Sequence, residues 1–290
     1  MIPASFDYHA PGSLPEALAL LSRYGDEAKV LSGGQSLLPL LKLRLGQAGH
    51  LIDIGRIPGL EYIREEGGML RLGGRTRESA LEASEVIRSR YPILFDTARV
   101  IADPVVRNMA TVGGNLAHGD PGNDHPATML ALGAQVVATG PKGERVIPIE
   151  QFFLGLFRTA LKNDEVLTEI RIPTPPARSG GAYVKLERKV GDYATAAAAA
   201  QVTLDGKGAF ERVGLALTNV GPTPIKARDA EKFLVGKRPE AAALAEAAGL
   251  ASKASTPSAD RRGSVEYKRD MARVLTGRAL KIAVERAGGR

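Results

Sequence analysis

The chain contains no cysteine. That absence excludes disulfides, thiolate zinc sites, a cysteine nucleophile and any iron–sulfur cluster ligated by this chain alone, and it leaves the redox compartment unreadable from thiol usage. Histidine is scarce: His9, His50, His118 and His125 are scattered, and His118 with His125 lacks the paired helical spacing of a zinc hydrolase, so no metal site is expected. No apolar run approaches membrane-spanning length. Met1-Ile2-Pro3 leads into a Pro- and Gly-punctuated segment without a basic region followed by an apolar one, so a cytoplasmic protein is the expectation.

What is present suits a turn-rich mixed fold. Hydrophobic residues make up 44% of the 290, with 33 Gly and 18 Pro, enough chain for two domains with a sizeable core. The net charge of +7 is concentrated at the C-terminal end, where residues 261–290 hold nine Lys/Arg against three Asp/Glu. Clustering of this kind raises nucleic acid as a partner, but neither aromatic interleaving nor a nucleic-acid motif accompanies it. Met271, Val274, Leu275, Ala279 and Ile282 recur at helical spacing between the basic residues, which reads as a solvated or partner-facing amphipathic helix over 265–287. No nucleic-acid binding is expected.

Local patterns divide the chain. Ser13-Leu14-Pro15-Glu16 has capping-box spacing ahead of Leu14, Leu18 and Leu21, with Gly25 as a stop. A strand over 28–31 then runs into Ser32-Gly33-Gly34-Gln35-Ser36, followed by a helix-like run over 37–45 interrupted by Pro39. A strand over 51–54 and a hairpin over 62–72 turning at Gly67-Gly68 follow, then helices over 76–89 and 92–102. Residues 103–124 break from periodicity, and a loop this long inside a compact region is usually functional or disordered. Beyond it come a helix near 126–132, a hairpin over 135–149 and a strand over 165–172. The Pro-, Gly- and Ser-rich segment 174–181 marks the boundary between a domain of residues 1–176 and one of 177–290. The second reads as strands over 182–187, 196–204 and 212–218, then helices near 226–235, 239–253 and 265–287. The Ala196–Ala200 run has helix propensity, but Tyr193, Thr195 and Val202-Thr203-Leu204 around it favour a strand.

Two glycine pairs carry the chemistry. Ser32-Gly33-Gly34-Gln35-Ser36 and Thr111-Val112-Gly113-Gly114-Asn115 both sit where one element gives way to another. Paired glycines permit positive φ, so successive N–H groups converge on an anion while Ser, Thr and Asn add donors. Either pair alone reads as an ordinary turn. Together they suggest a diphosphate gripped from two sides, although neither is a Rossmann fingerprint nor a nucleoside triphosphatase loop.

Extended by Leu37 and the following residues to Pro39, with Lys42-Leu43-Arg44 beyond, the first loop resembles the first FAD signature of the flavin subunits of molybdenum hydroxylases. The stretch from Thr111 through Asp124 to Ala127 resembles their second, and the segment from Tyr267 to Leu280 is similar to their C-terminal helix, so the resemblance spans nearly the whole chain. That family includes the medium subunits of carbon monoxide dehydrogenases and the flavin domain of xanthine dehydrogenases. The resemblance implies an α+β fold, with a two-lobed FAD-binding domain of the vanillyl-alcohol-oxidase type followed by a C-terminal antiparallel sheet plus helices. It also implies FAD held non-covalently, and a diphosphate on Ser32 to Leu37 and Thr111 to Asn115. Asp124 then bonds the cofactor at a sugar hydroxyl, or caps the helix before Pro126. Leu167 matches a contact on the flavin side and reads equally as a strand core residue. Lys185 and Tyr193 match positions near the isoalloxazine, where a cation favours the electron-rich reduced ring and a tyrosine stacks on it or gates one face. Gln35 stands where some relatives carry His, so no proton relay is expected there.

The function implied is electron transfer from the [2Fe–2S] clusters of a partner to an external acceptor. A molybdopterin-binding large subunit and an iron–sulfur small subunit would be the partners, in a dimer of heterotrimers, with molybdopterin and clusters residing only in them. This chain supplies no catalytic acid–base residues on that reading, since the flavin does the redox chemistry. A self-sufficient flavin oxidoreductase on the same fold is the alternative and would need a proton donor at the reacting carbon. A non-enzymatic interaction module using the basic tail is the third.

Overall fold

The computed structural model describes residues 2–288. The chain begins with parallel pairing. β1 (Asp7–His9), α1 (Leu14–Tyr24), β2 (Ala28–Leu31), α2 (Leu37–Lys42) and β3 (His50–Asp53) make a small lobe whose parallel sheet runs in the order β1-β3-β2. At the start of α1, Ser13 Oγ accepts from Glu16 N, and the Glu16 carboxylate accepts from Gly12 N at 2.9 Å. Ala17, Leu18 and Leu21 then pack on Ile52, Ile54 and Ile57. Helix α2 stops three residues before the apolar run ends, because Arg44 takes a left-handed φ of 58°.

The second lobe is built on an antiparallel sheet. β4 (Ile63–Glu66) and β5 (Met69–Gly73) form the expected hairpin, with Gly67 and Gly68 both at positive φ as the two-residue turn requires. Six helices come next: α3 (Glu78–Ala83), α4 (Glu85–Arg90), α5 (Pro92–Val100), α6 (Pro104–Arg107), α7 (Val112–His118) and α8 (His125–Leu132). β6 (Gln135–Gly140), β7 (Gly143–Pro148), the small hairpin β8 (Phe153–Gly155) with β9 (Arg158–Thr159), and β10 (Val166–Pro173) complete the lobe, whose sheet order is β4-β5-β10-β6-β7. The helix expected over 76–89 is two helices. Ser84 leaves the helical region with ψ 120° and caps α4. Residues 103–124, expected to be irregular, hold α6 and α7, each with its own cap: Asp103 Oδ1 accepts from Val106 N at 2.9 Å and Thr111 Oγ1 from Gly114 N at 3.1 Å. Helices of four and seven residues are too short to display a 3.6-residue period.

β11 (Ser179–Leu186), β12 (Ala196–Leu204), β13 (Phe210–Thr218) and β14 (Ile225–Lys226) form a second antiparallel sheet in chain order. Helices α9 (Arg228–Leu234), α10 (Ala241–Ala254) and α11 (Val265–Ala287) follow. The alanine run is a strand because both its faces are buried. Ala197 and Ala199 join the core shared with α5 and α8, while Ala196, Ala198 and Ala200 join the core under α11. Small side chains let helices approach from both sides. On α11, Leu275 and Ala279 are buried with Ala272, Leu280 and Ala283, whereas Met271, Val274 and Ile282 are only partly covered.

Two glycines make this packing possible. A Cβ on Gly180 would lie 2.2 Å from Ala283 O of α11, and one on Gly214 would lie 1.9 Å from Ala131 O of α8. Gly214→Ala must push α8 off the sheet. Overpacking of this kind costs about 1–3 kcal/mol, and urea denaturation should show it; unchanged stability would mean that α8 is free to shift.

Candidate cofactor cleft

The first glycine loop leaves β2 at Leu31 and turns at Gly34, whose φ is +77°. The backbone N–H groups of Gly33, Gly34, Gln35, Ser36 and Leu37 donate to no group among the described residues. Ser36 occupies the N-cap position of α2 without making the cap bond, so its hydroxyl is also available, and Gln35 is exposed. Five consecutive amides and a hydroxyl of one turn are thus left without a partner among the described residues. Such a run of N–H groups is an anion-binding concavity.

The second loop works differently from the expectation. Gly113 and Gly114 are not at positive φ, and all four amides from Val112 to Asn115 already have partners. Val112 N donates to Thr76 O, Gly113 N to Gly74 O, Gly114 N to Thr111 Oγ1 and Asn115 N to Thr111 O. Close packing explains Gly113 instead: its Cβ would lie 2.3 Å from Gly74 O, and a Cβ on Gly74 would in turn lie 2.1 Å from Leu167 O. The loop therefore offers side chains. Thr111 Oγ1 sits 3.0 Å from Ser32 Oγ, and Asn115 Oδ1 is buried without a partner. Both loops are also in backbone contact, since a Cβ on Gly33 would lie 2.1 Å from Met109 O.

Behind the second loop lies a buried polar corner. Asp124 holds the N-cap position of α8, yet its carboxylate makes no cap bond. Oδ1 accepts instead from Tyr183 Oη at 2.6 Å and Oδ2 from Lys185 Nζ at 3.0 Å. Burial pushes the Asp124 carboxyl above its ordinary range, opposed first by the Lys185 charge and then by these hydrogen bonds. The Lys185 side chain is 3% exposed, and its ammonium also donates to Val100 O at 2.9 Å and lies 3.5 Å from Glu187 Oε2. With two hydrogen-bond acceptors and a further carboxylate around it, the ammonium is tied to Asp124 and buried among protein groups. Tyr183 is the residue that the sequence reading missed. Period-two alternation puts it on the same face of β11 as Lys185, which was the available signal.

Tyr193 stands at the rim, 45% exposed, with its ring edge against Gly122. The neighbouring Asp192 accepts from Arg262 at 2.9 Å, from Arg188 at 3.1 Å and from Tyr193 N at 2.8 Å. These bonds, Arg262's first, hold its carboxyl down at about 2. A depressed carboxylate contributes stability that is fully present above the unfolded value, about 4, and is lost as pH falls through about 2. The stability gap between wild type and Asp192→Ala should narrow as urea titrations move from about pH 5 toward 2; a gap constant with pH would contradict the assignment. Leu167 is a buried core residue whose carbonyl packs against Gly74, the residue that in turn backs Gly113, and whose side chain joins the core that also holds Val112.

The structure thus joins Ser32, Gly33, Thr111, Val112, Gly113, Gly114, Asn115 and Leu167 in one backbone stack, and joins Asp124 with Lys185 in one corner. Gln35, Ser36 and Leu37 project from the first loop, and Tyr193 edges the rim. Free amides and glycines whose space a side chain would fill suit the anionic middle of an extended dinucleotide, while the orphaned Asn115 Oδ1, an acceptor, suits one of its hydroxyl or N–H donors.

Comparison with known proteins agrees. The family described as FAD binding domain in molybdopterin dehydrogenase matches residues 4–175, and that described as CO dehydrogenase flavoprotein C-terminal domain matches residues 181–283. The chain belongs to the FAD-binding medium subunits of the molybdenum hydroxylases, a family of oxidoreductase subunits that carry FAD. It is 46% identical to the carbon monoxide dehydrogenase medium chain of Afipia carboxidovorans over 287 residues, 99% of each chain. Against the 6-hydroxypseudooxynicotine dehydrogenase complex subunit alpha of Paenarthrobacter nicotinovorans it is 38% identical, covering 99% of this chain and 97% of that one. Carbon monoxide dehydrogenase from Hydrogenophaga pseudoflava superposes with a TM-score of 0.96 at 48% identity, with 99% of both chains covered. The two-domain α+β architecture is that of this family, and no helix among the described residues is long and apolar enough to cross a membrane.

Proposed function

We propose that this subunit holds FAD non-covalently and relays electrons from the [2Fe–2S] clusters of a small partner subunit to an external acceptor. A molybdopterin-binding large subunit oxidises the substrate, in a cytoplasmic dimer of heterotrimers. The free amides of Gly33 to Leu37, set against the Thr111–Asn115 side chains, carry this reading, because they form a diphosphate cradle. FAD when bound supplies the step between two-electron and one-electron chemistry. Ser32, Gly33, Gly34, Gln35, Ser36 and Leu37 bind the diphosphate through N–H and hydroxyl groups. Thr111 and Asn115 close it from the opposite side, while Val112, Gly113 and Gly114 hold that wall in place.

Asp124 offers its remaining lone pairs to a cofactor hydroxyl, with Tyr183 and Lys185 fixing its orientation. Leu167 packs behind the flavin side and Tyr193 covers its rim. The division of labour follows the domains 1–176 and 177–290: the first grips the cofactor and the second contributes Tyr183, Lys185 and Tyr193. Stopped-flow reoxidation of the dithionite-reduced complex by a quinone, by NAD and by oxygen tests the relay. Removing FAD should slow cluster reoxidation by the competent acceptor at least about tenfold, the loss expected when a redox cofactor is withdrawn from its path; an unchanged rate would show that electrons bypass this chain.

A further inference from the structure

We propose that Glu78 and His125 are positioning residues that lock the second loop to the Asp124 corner, so that both walls of the cleft move as one body. This rests on the cofactor reading above. Both side chains are 0% exposed, and His125 Nε2 lies 2.7 Å from Glu78 Oε2. Glu78 occupies a junction. Its backbone N donates to Ala110 O at 3.0 Å, the adjacent Arg77 bridges Thr111, and Thr76 O accepts from Val112 N. Residues 76–78 are therefore zipped to 110–112, the segment that carries Thr111. The Glu78 side chain leaves that zipper and reaches His125, the first residue of α8, directly after Asp124.

The choice of residues argues for position over stability. A buried ionisable pair pays heavy desolvation, and an apolar pair of similar volume is often neutral or more stable. Glu78 Oε1 and His125 Nδ1 are moreover left without partners. With the imidazole N–H on Nε2 directed at Glu78 Oε2, the unpaired Nδ1 is a lone pair and no buried N–H is stranded. What the pair gives in return is direction: a hydrogen bond of fixed geometry that adds a second polar tie between the second loop and the Asp124 corner, beside the bond from Asn123 Nδ2 to Asn115 O at 2.8 Å.

Two variants test this against a merely structural role. In Glu78→Leu/His125→Leu the pair becomes apolar, and Glu78→Gln keeps the shape but removes the charge. For each, FAD affinity is read by quenching of flavin fluorescence on titration, thermal stability is measured on the FAD-free chain, and amide hydrogen exchange is followed at Val112 to Asn115. The expected result is a thermal midpoint near or above wild type for the double variant, faster exchange of those amides, and a dissociation constant for FAD raised on the order of tenfold, as displacement of a binding group by a fraction of an ångström produces. Should the double variant fail to fold, Glu78→Gln alone carries the comparison, with smaller changes in the same direction. Wild-type affinity and wild-type exchange in a folded variant would overturn the inference while leaving the cofactor reading intact. A wild-type chain that takes up no FAD would instead remove that reading, and the inference with it.

Discussion

Gly33→Val should abolish retention of FAD while leaving the fold standing. A Cβ at this position meets Met109 O at 2.1 Å, with Met109 C and Ala110 Cα both at 2.9 Å. All three are backbone atoms, so no side chain can rotate away, and the two loops must separate. Separation pulls the free amides away from Thr111 and Asn115 and breaks the Ser32–Thr111 hydrogen bond. An anion held from two sides then keeps one. The dissociation constant for FAD should rise at least about a hundredfold, the scale on which a displacement of about 1 Å disables a positioned group. Stability should change little by comparison, because Gly33 lies outside the apolar core of the small lobe. Gly46→Ala is the control: the nearest atom to its added Cβ is 4.0 Å away, so affinity should stay at the wild-type value. Full FAD occupancy in Gly33→Val would show that the loops do not act together.

Asp124→Ala carries the largest expected loss of stability. Its removal leaves the Lys185 ammonium, 3% exposed, with Val100 O and the more distant Glu187 carboxylate, and leaves the Tyr183 hydroxyl with Thr218 Oγ1 at 3.1 Å. Breaking a buried pair from one side costs about 3–5 kcal/mol, because the surviving charge stays buried without its partner. Asp124→Asn keeps an acceptor for Tyr183 or Lys185 and should cost less. Lys185→Met combined with Asp124→Asn removes both charges and should recover much of the loss, since an uncharged pair costs far less to desolvate than a charged one. Urea denaturation of the FAD-free chain reads all three. A loss below about 1 kcal/mol for Asp124→Ala would mean that water reaches the corner and solvates Lys185.

Much of the fold was legible because its long elements obey simple periods. Gly67-Gly68 marked a hairpin turn that needs positive φ twice, and α11 ends where its amphipathic pattern ends. The alanine strand could be read only by its flanking residues, since its own composition favours helix; burial on both faces decided the matter. Helices α6 and α7 stayed hidden inside an apparent loop because they span only about one and two turns, too few to repeat the 3.6-residue period that would reveal them. Their caps, Asp103 and Thr111, were nevertheless present in the sequence.

In the cleft, the structure brings many of the singled-out residues together but gives several of them other partners than their types suggested. Gly113 and Gly114 looked like a second amide cradle, but the space at Gly113 is filled by the backbone of Gly74, a contact no local pattern records, and that at Gly114 by the Thr111 hydroxyl. Lys185 looked like a free cation and is instead engaged by Asp124, Val100 and Glu187. Asp124, a natural N-cap by position, turns its carboxylate to another domain. These corrections share one cause: each depends on a partner distant in sequence.

The most direct test of the account is the absorption spectrum of the purified chain, recorded before and after acid precipitation, with chromatography of whatever is released. Flavin bands in the native chain and intact FAD in the supernatant are the predicted result. A colourless chain that takes up no added FAD, even in the presence of its co-purifying partners, would contradict the cleft described above and favour an interaction module; flavin that stayed with the precipitate would contradict non-covalent binding.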